Sequence, residues 1–495
     1  MDNIMTKKLF AGPLQARHKM VLAAIMRSCE PTVEESAYGV AWNEDAGTYA
    51  RTEDTLGETL SVSLSDELLP IHANMKRCLL SDAGVVQYYL ESDDSYNRDG
   101  VAPSVTGTDD TGTADKLSDS GVFTDSEATY VGYYVHNTTD DTYAMITAKD
   151  SDDVLSIDAD IMDAAEAFEI CTANLGGTDG QIMVQIPKFY YKYGYSGTTH
   201  TWEIATYAKD GYSVHPAFIK NGVTVDFRYM GAYEGIAYDD GTSAYVDGVS
   251  FSGDTGNDIL SSVSGFAPWT DETRAQFRAY ASNRGTGWRQ QDYDLSSAVQ
   301  LLYLIEYADW NSQARIGMGR TALSGGSWVK DSYIGVTGKS NVDGNGTNSV
   351  SLGTTNGYLT DYMTYRGIEN FFGNIWKFVD GININDNVPY VSNTDTDFDD
   401  DTATDYTDLG ITLAATAGYQ KTLEQQSRGF LPASIGGVGV GSSTYITDYY
   451  YQITGWRAVR LGGDATTGVS AGVAYWYAAD ASSKAYVTLG ARLTY

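Results

Sequence analysis

Apolar positions near the start of the chain recur at helical spacing. Leu14, Met20, Val21, Ala24 and Ile25 fall between Gly12 and Pro31 and predict a helix. A packing helix and an attachment or trimerisation helix fit that pattern equally, because periodicity does not separate them. Strand-like runs then follow at 85–90, 130–135 and 143–147, the last two reading as a pair around a polar turn. Residues 161–170, with their Ala and Glu, read as a short helix. Residues 181–193 and 227–237 are rich in β-branched and aromatic residues and read as strands. Residues 271–282 and 296–308 are helix candidates, with Thr270 as N-cap of the first. In the second, Leu301, Leu304, Ile305 and Ala308 share one face, which reads as core. Beyond residue 316 the chain is short strands broken by Gly, Asn and Asp, with no solenoid period.

Between about 91 and 120 the pattern lapses into Asp, Ser, Thr and Gly, as in a linker. The organisation expected is an attachment or oligomerisation segment at 1–37 and the start of a main domain at 38–92. An insertion follows at 93–175, combining a linker and a small β-rich module. The rest of the main domain is 176–495. Few helices among many short strands make the class α+β.

Charge narrows the possible partners. The 495 residues carry 65 acids against 32 bases, a formal charge of −33. Nucleic acid and anionic membrane surfaces would repel such a chain. No run approaches the ~20 apolar residues needed to span a bilayer. The run 20–26 is short, and Arg17, His18 and Lys19 precede it, so no secretory signal is expected. Cys29, Cys78 and Cys171 form neither a disulfide framework nor a zinc pattern. The excess lies elsewhere, in 38 Tyr and 52 Gly, which suits rigid amphipathic contact surfaces on a loop-rich scaffold.

Reactive chemistry is weakly marked. Asp395, Asp397 and Asp399 have the spacing of a calcium loop, but Asp400 stands where a turn Gly belongs and Tyr406 where a closing Glu belongs. A solvated acidic loop is the better reading. His200 and His215 read as structural or exposed, and Cys171 as buried and inert. No metal, cofactor or catalytic set is expected.

The C-terminal part is more distinctive. Aromatics surround a Gly-Asn turn in Phe371-Phe372-Gly373-Asn374-Ile375-Trp376. Later come Arg460-Leu461-Gly462-Gly463 and Gly490-Ala491-Arg492. With the helix ending Glu306-Tyr307-Ala308, this ordered set resembles the C-type-lectin fold of the formylglycine-generating-enzyme-like superfamily. Within it, the chain is most similar to the variable proteins of diversity-generating retroelements, which include phage receptor-binding tail proteins of the tropism-determinant kind. The resemblance covers 180–495 and extends to 38–92, but not to the insertion.

The resemblance implies a C-terminal variable region, about 440–495, diversified at codons with adenine in the first two positions. Such codons reach Tyr, Asp, Thr, Ser, Gly and Ala, but not Trp or Lys, so Trp476 and Lys484 would be fixed. The receptor-contact candidates it implies are Asp464, Thr466, Thr467, Tyr475, Tyr477, Asp480, Tyr486 and Thr488. Gly462, Gly463, Gly490 and Arg492 would be scaffold. From the residues alone, Tyr475, Tyr477 and Tyr486 read equally as half-buried strand residues. Tyr475 and Tyr477 share a face opposite Trp476. The implied protein is a virion tail component, made in the host cytoplasm, a homotrimer bound to other tail proteins, and no enzyme. It would recognise a host-surface protein or glycan without nucleic acid or membrane insertion. Two rivals stand beside it, besides a cellular surface protein, which would need an N-terminal signal or lipidation sequence that is not seen. One is a structural tail or collar part with a lectin-like domain. The other is a formylglycine-generating-type enzyme, but no cysteine follows Cys171 and no histidine follows His215. The Glu-Pro-Asn and Gln-Pro-Asp sugar motifs of calcium-dependent lectins are absent from the sequence.

Overall fold

The computed structural model describes residues 35–495 except 61, 91–104, 128–129, 132, 141, 171–173, 325–326, 331, 352–353, 356–357, 360 and 437–444. The expected N-terminal helix, Cys29, Cys171, most of the linker and the first residues of the expected variable region lie outside the described residues. Of the described residues 36% are strand and 12% helix, so strand pairing sets the architecture.

The early strands pair with strands far along the chain. Ala37–Asn43 and Thr48–Glu53 join Thr199–Ala205 and Tyr190–Ser196 in a five-stranded sheet. Lys76–Leu80 and Val86–Tyr89 join Gln181–Pro187, Phe227–Gly231 and the chain's last strand, Leu493–Thr494, in a six-stranded sheet. The 181–193 run is thus two strands that serve different sheets. The fully buried Ile182, Val184 and Ile186 alternate on one side of the first.

Residues between these strands form a separate six-stranded sheet, in the order Val105–Thr108, Ala167–Ile170, Tyr134–Asn137, Thr142–Lys149, Val154–Ile157 and Lys116–Ser118. It encloses its own core, with Leu117, Phe123, Val135, Ile146 and Phe168. The helix expected over 161–170 is not formed. Ala167–Ile170 is a strand between two partners, because ladder hydrogen bonds outweigh the small helical preference of a short segment.

Both longer helices begin away from their expected starts. Arg274–Asn283 is capped by Thr273, whose hydroxyl accepts from Gln276 N while Gln276 Oε1 takes the Thr273 N–H. Thr270 instead makes a bridge to Gly490. Tyr293–Tyr307 starts at Asp292, whose carboxylate accepts from Leu295 N, and ends at Ala308 in the left-handed region. This helix is buried all round rather than on one face. Its charged groups and the Gln300 amide nitrogen are therefore partnered. Arg428 pairs with Asp294 and Arg366 with Glu306, and Gln300 donates to Val473 O. Through these contacts the helix ties together loops distant in sequence.

The largest sheet has nine strands. Its centre runs Val388–Val391, Trp376–Asn385, Trp456–Leu461, Trp476–Asp480, Tyr449–Gln452 and Gly418–Leu423. Trp476–Asp480 lies parallel to Tyr449–Gln452 and antiparallel to Trp456–Leu461.

Candidate functional site

The two faces of this sheet follow from the period-two alternation of its strands. Val459, Leu461, Tyr450, Trp476 and Ala478 turn to one side and form a core with Val379, Ile382 and Tyr293. On the other side stand Tyr449, Tyr451, Tyr475, Tyr477 and Arg460. Tyr475 and Tyr477 do share the side opposite Trp476.

These aromatic rings are in continuous contact. Tyr419 meets Tyr449 edge-on at 5.3 Å, and Tyr449 meets Tyr475 at 6.0 Å. Trp376 packs edge-on to Tyr475 at 4.9 Å and lies 5.4 Å from Tyr477. Tyr451 stacks on Tyr477 at 4.9 Å with 10° between the planes. The Arg460 guanidinium sits 3.9 Å over the Tyr477 ring, 4.7 Å over Trp376 and 5.7 Å over Tyr486. Its charge is met by Asp480 at 3.0 Å. Burial pushes the Tyr477 hydroxyl up, and the adjacent guanidinium opposes that shift. The surface is therefore rigid, aromatic and locally neutral within an acidic protein.

The eight expected contact residues divide into two groups. Tyr477 is half-buried, and Tyr486, with 39% of its surface exposed, is open to solvent. Thr466 is exposed, and Thr467 and Thr488 are half-buried. The other three are covered. Tyr475 is only 6% exposed beneath Trp376 and Tyr449. Asp480 is engaged by Arg460 and by the Tyr486 hydroxyl at 3.4 Å. Asp464 is a turn former whose Oδ1 accepts from Thr466 N, Thr466 Oγ1 and Thr467 Oγ1. These three hold the face in place rather than present themselves on it.

Tyr419, Tyr449 and Tyr451 belong to the same face and were not among the expected contacts. The alternation in Tyr449-Tyr450-Tyr451 carries the signal for two of them, since Tyr450 turns to the core. Nothing local to Tyr419 marks it. It arrives by pairing of Gly418–Leu423 with Tyr449–Gln452, and its hydroxyl bonds Ser470 Oγ at 3.0 Å.

Beneath the face the framework is tightly built. Gly462 has φ +86°, and a Cβ there would lie 2.9 Å from Phe371 O. Arg492 is fully buried and donates to Gly231 O, Glu369 O and Asn370 O. Burial lowers its guanidinium to about 10. Lys377 and Glu234 form a buried pair at 2.9 Å. Asn374, at the expected Gly-Asn turn, donates to Glu234 and accepts from Gly335 N at 2.8 Å. Asp448 is buried behind Tyr449. Its carboxylate accepts from Ala474 N at 2.7 Å, and burial pushes it up to about 8.

The other sequence candidates have structural partners. His200 lies between Tyr193 Oη and Glu44 and stacks on Trp202. His215 caps a short 3₁₀ turn by accepting from Ala217 N. Asp395 bonds Asn221 and Arg289, and Asp397 accepts from Ser392. Among the described residues, no three His, Cys, Asp or Glu side chains gather as a metal site. Among the same residues, no helix is long and apolar enough to cross a membrane. No protein-family model matches the chain, and no curated protein matches it.

Proposed function

We propose that this chain is a phage tail-fibre or tail-tip receptor-binding protein, a diversity-generating-retroelement variable protein with a C-type-lectin fold. The observation that carries the reading is the joined aromatic face around Arg460. Tyr451, Tyr477 and Tyr486 offer large contact area with few rotatable bonds, so little conformational entropy is lost when a ligand is bound. Thr466 and its neighbours add hydrogen-bonding groups at the margin. The ordered set of the Gly-Asn turn, the Arg-Leu-Gly-Gly strand and the terminal Gly-Ala-Arg supports the family reading. Recognition breaks no bond and is strengthened by several copies, as a homotrimer, on one virion.

The test is adsorption of labelled protein to bacteria from the source sample. Changing Tyr451, Tyr477 and Tyr486 together to Ala should abolish it while the thermal midpoint stays within a few degrees. Unchanged adsorption would remove the reading and favour a structural tail component. Sequencing of codons 440–495 in a propagated population should find substitutions at adenine-rich codons and constancy at Trp476, Gly462 and Arg492.

A further inference from the structure

A cleft of about 660 Å³ shares no residue with the aromatic face. Its floor is one cross-strand row. Tyr245, Tyr238 and Ile259 are direct partners on three adjacent strands, Ala244–Val246, Ile236–Asp239 and Ile259–Ser261, and so lie on one side of that small sheet. The two rings meet edge-on at 5.1 Å. Tyr245 is held from behind by Phe266 at 5.8 Å and by Gly177, where φ is +97° and a Cβ would lie 2.4 Å from the Tyr245 hydroxyl. The floor is thus apolar and fixed.

The walls are polar. Asp82 and Gln87 come from the hairpin of Lys76–Leu80 and Val86–Tyr89, Asp179 from the turn after Gly177, and Asp240 from the end of the Tyr238 strand. Arg284 is held by Leu260 O at 3.0 Å and by Asp82 at 2.6 Å. Asp179 accepts from Tyr88 Oη at 2.6 Å. Asp240 uses its backbone N–H on Asp258, and among the described residues its carboxylate has no hydrogen-bond partner.

We propose that this cleft binds a neutral saccharide. An aromatic and aliphatic strip takes the C–H face of a sugar ring, while hydroxyls at the ring edge donate to carboxylates and bond amides. The volume lies within the roughly 300–1,000 Å³ of small-molecule sites. Three carboxylates against one guanidinium, already paired, disfavour phosphate, sulfate and sialyl groups.

The test uses the full chain on an array of neutral, sialylated and sulfated oligosaccharides, with an oligolysine peptide as comparator. Neutral glycans should bind. Asp240→Ala and Gln87→Ala, both at exposed positions, and Tyr238→Leu should each weaken binding at least tenfold, while Tyr477→Ala leaves it unchanged. The proposal is overturned if no glycan binds, if anionic glycans or oligolysine are preferred, or if the cleft variants bind as wild type. It is also overturned if Tyr477→Ala alone removes glycan binding, which would move the glycan to the aromatic face.

Discussion

Tyr451 lies flat on Tyr477, with ring centres 4.9 Å apart and 10° between the planes, across the parallel pairing of their strands. Neither ring is buried enough to be explained as core alone. Changing either to Ala should cost less than removing a core aromatic. A double-mutant cycle in urea unfolding should give a coupling of about 0.5–1.5 kcal/mol. A coupling near zero would mean that the stack does not hold the face.

Arg460 joins three rings and one carboxylate with one planar group. Lysine keeps the charge but not the plane, so Arg460→Lys should destabilise by about 1–2 kcal/mol. Asp480→Asn leaves the guanidinium without its counter-charge in a largely buried place and should cost more, about 2–4 kcal/mol. An Arg460→Lys variant as stable as wild type in chemical denaturation would argue against a stacking role.

Lys377 and Glu234 are both 1% exposed, and burial pulls the Lys377 ammonium down to about 8. Lys377→Met strands the carboxylate and should cost about 3–5 kcal/mol. The double variant Lys377→Met, Glu234→Gln should recover much of that, since the Asn374 and Asn370 side-chain amides still donate to the Gln oxygen. Thermal unfolding of both variants checks the order.

Asp448 gives a pH dependence of definite sign. Its folded pKa is about 8 against the ordinary 3.8 of an aspartate, so between those values the folded state binds more protons than the unfolded one. Its contribution is fully present at low pH and declines as pH rises through 8. Asp448→Asn removes the titrating group and retains an acceptor for Ala474 N. At pH 7.5 the variant should be about 1–3 kcal/mol more stable than wild type, with the gap closing towards pH 4. Parallel slopes of stability against pH would show that Asp448 does not titrate in this window.

Much of the local structure was legible in the chain. The 227–237 run contains two strands, Phe227–Gly231 and Ile236–Asp239, and Tyr134–Asn137 does pair with Thr142–Lys149. Helix starts were misplaced by a few residues, because several residues near each start are competent caps. Thr273 is chosen by its reciprocal bonds with Gln276, and Asp292 by its bond to Leu295 N. The 161–170 segment was misread because its two strand partners lie outside any local window.

The sequence by itself determined the sides of the strands. Tyr475, Trp476 and Tyr477 had to alternate, as did Tyr449, Tyr450 and Tyr451, because successive side chains of a pleated strand point opposite ways. Which tyrosines meet solvent was decided only by the tertiary structure. Trp376 and Tyr449 close over Tyr475, while Tyr477 and Tyr486 stay at the surface around Arg460. Asp464 and Asp480 have the residue type of a contact, yet one closes a turn and the other neutralises Arg460. Exposure depends on neighbours, and here the neighbours arrive through strand pairings between segments far apart in the chain, which no local pattern encodes.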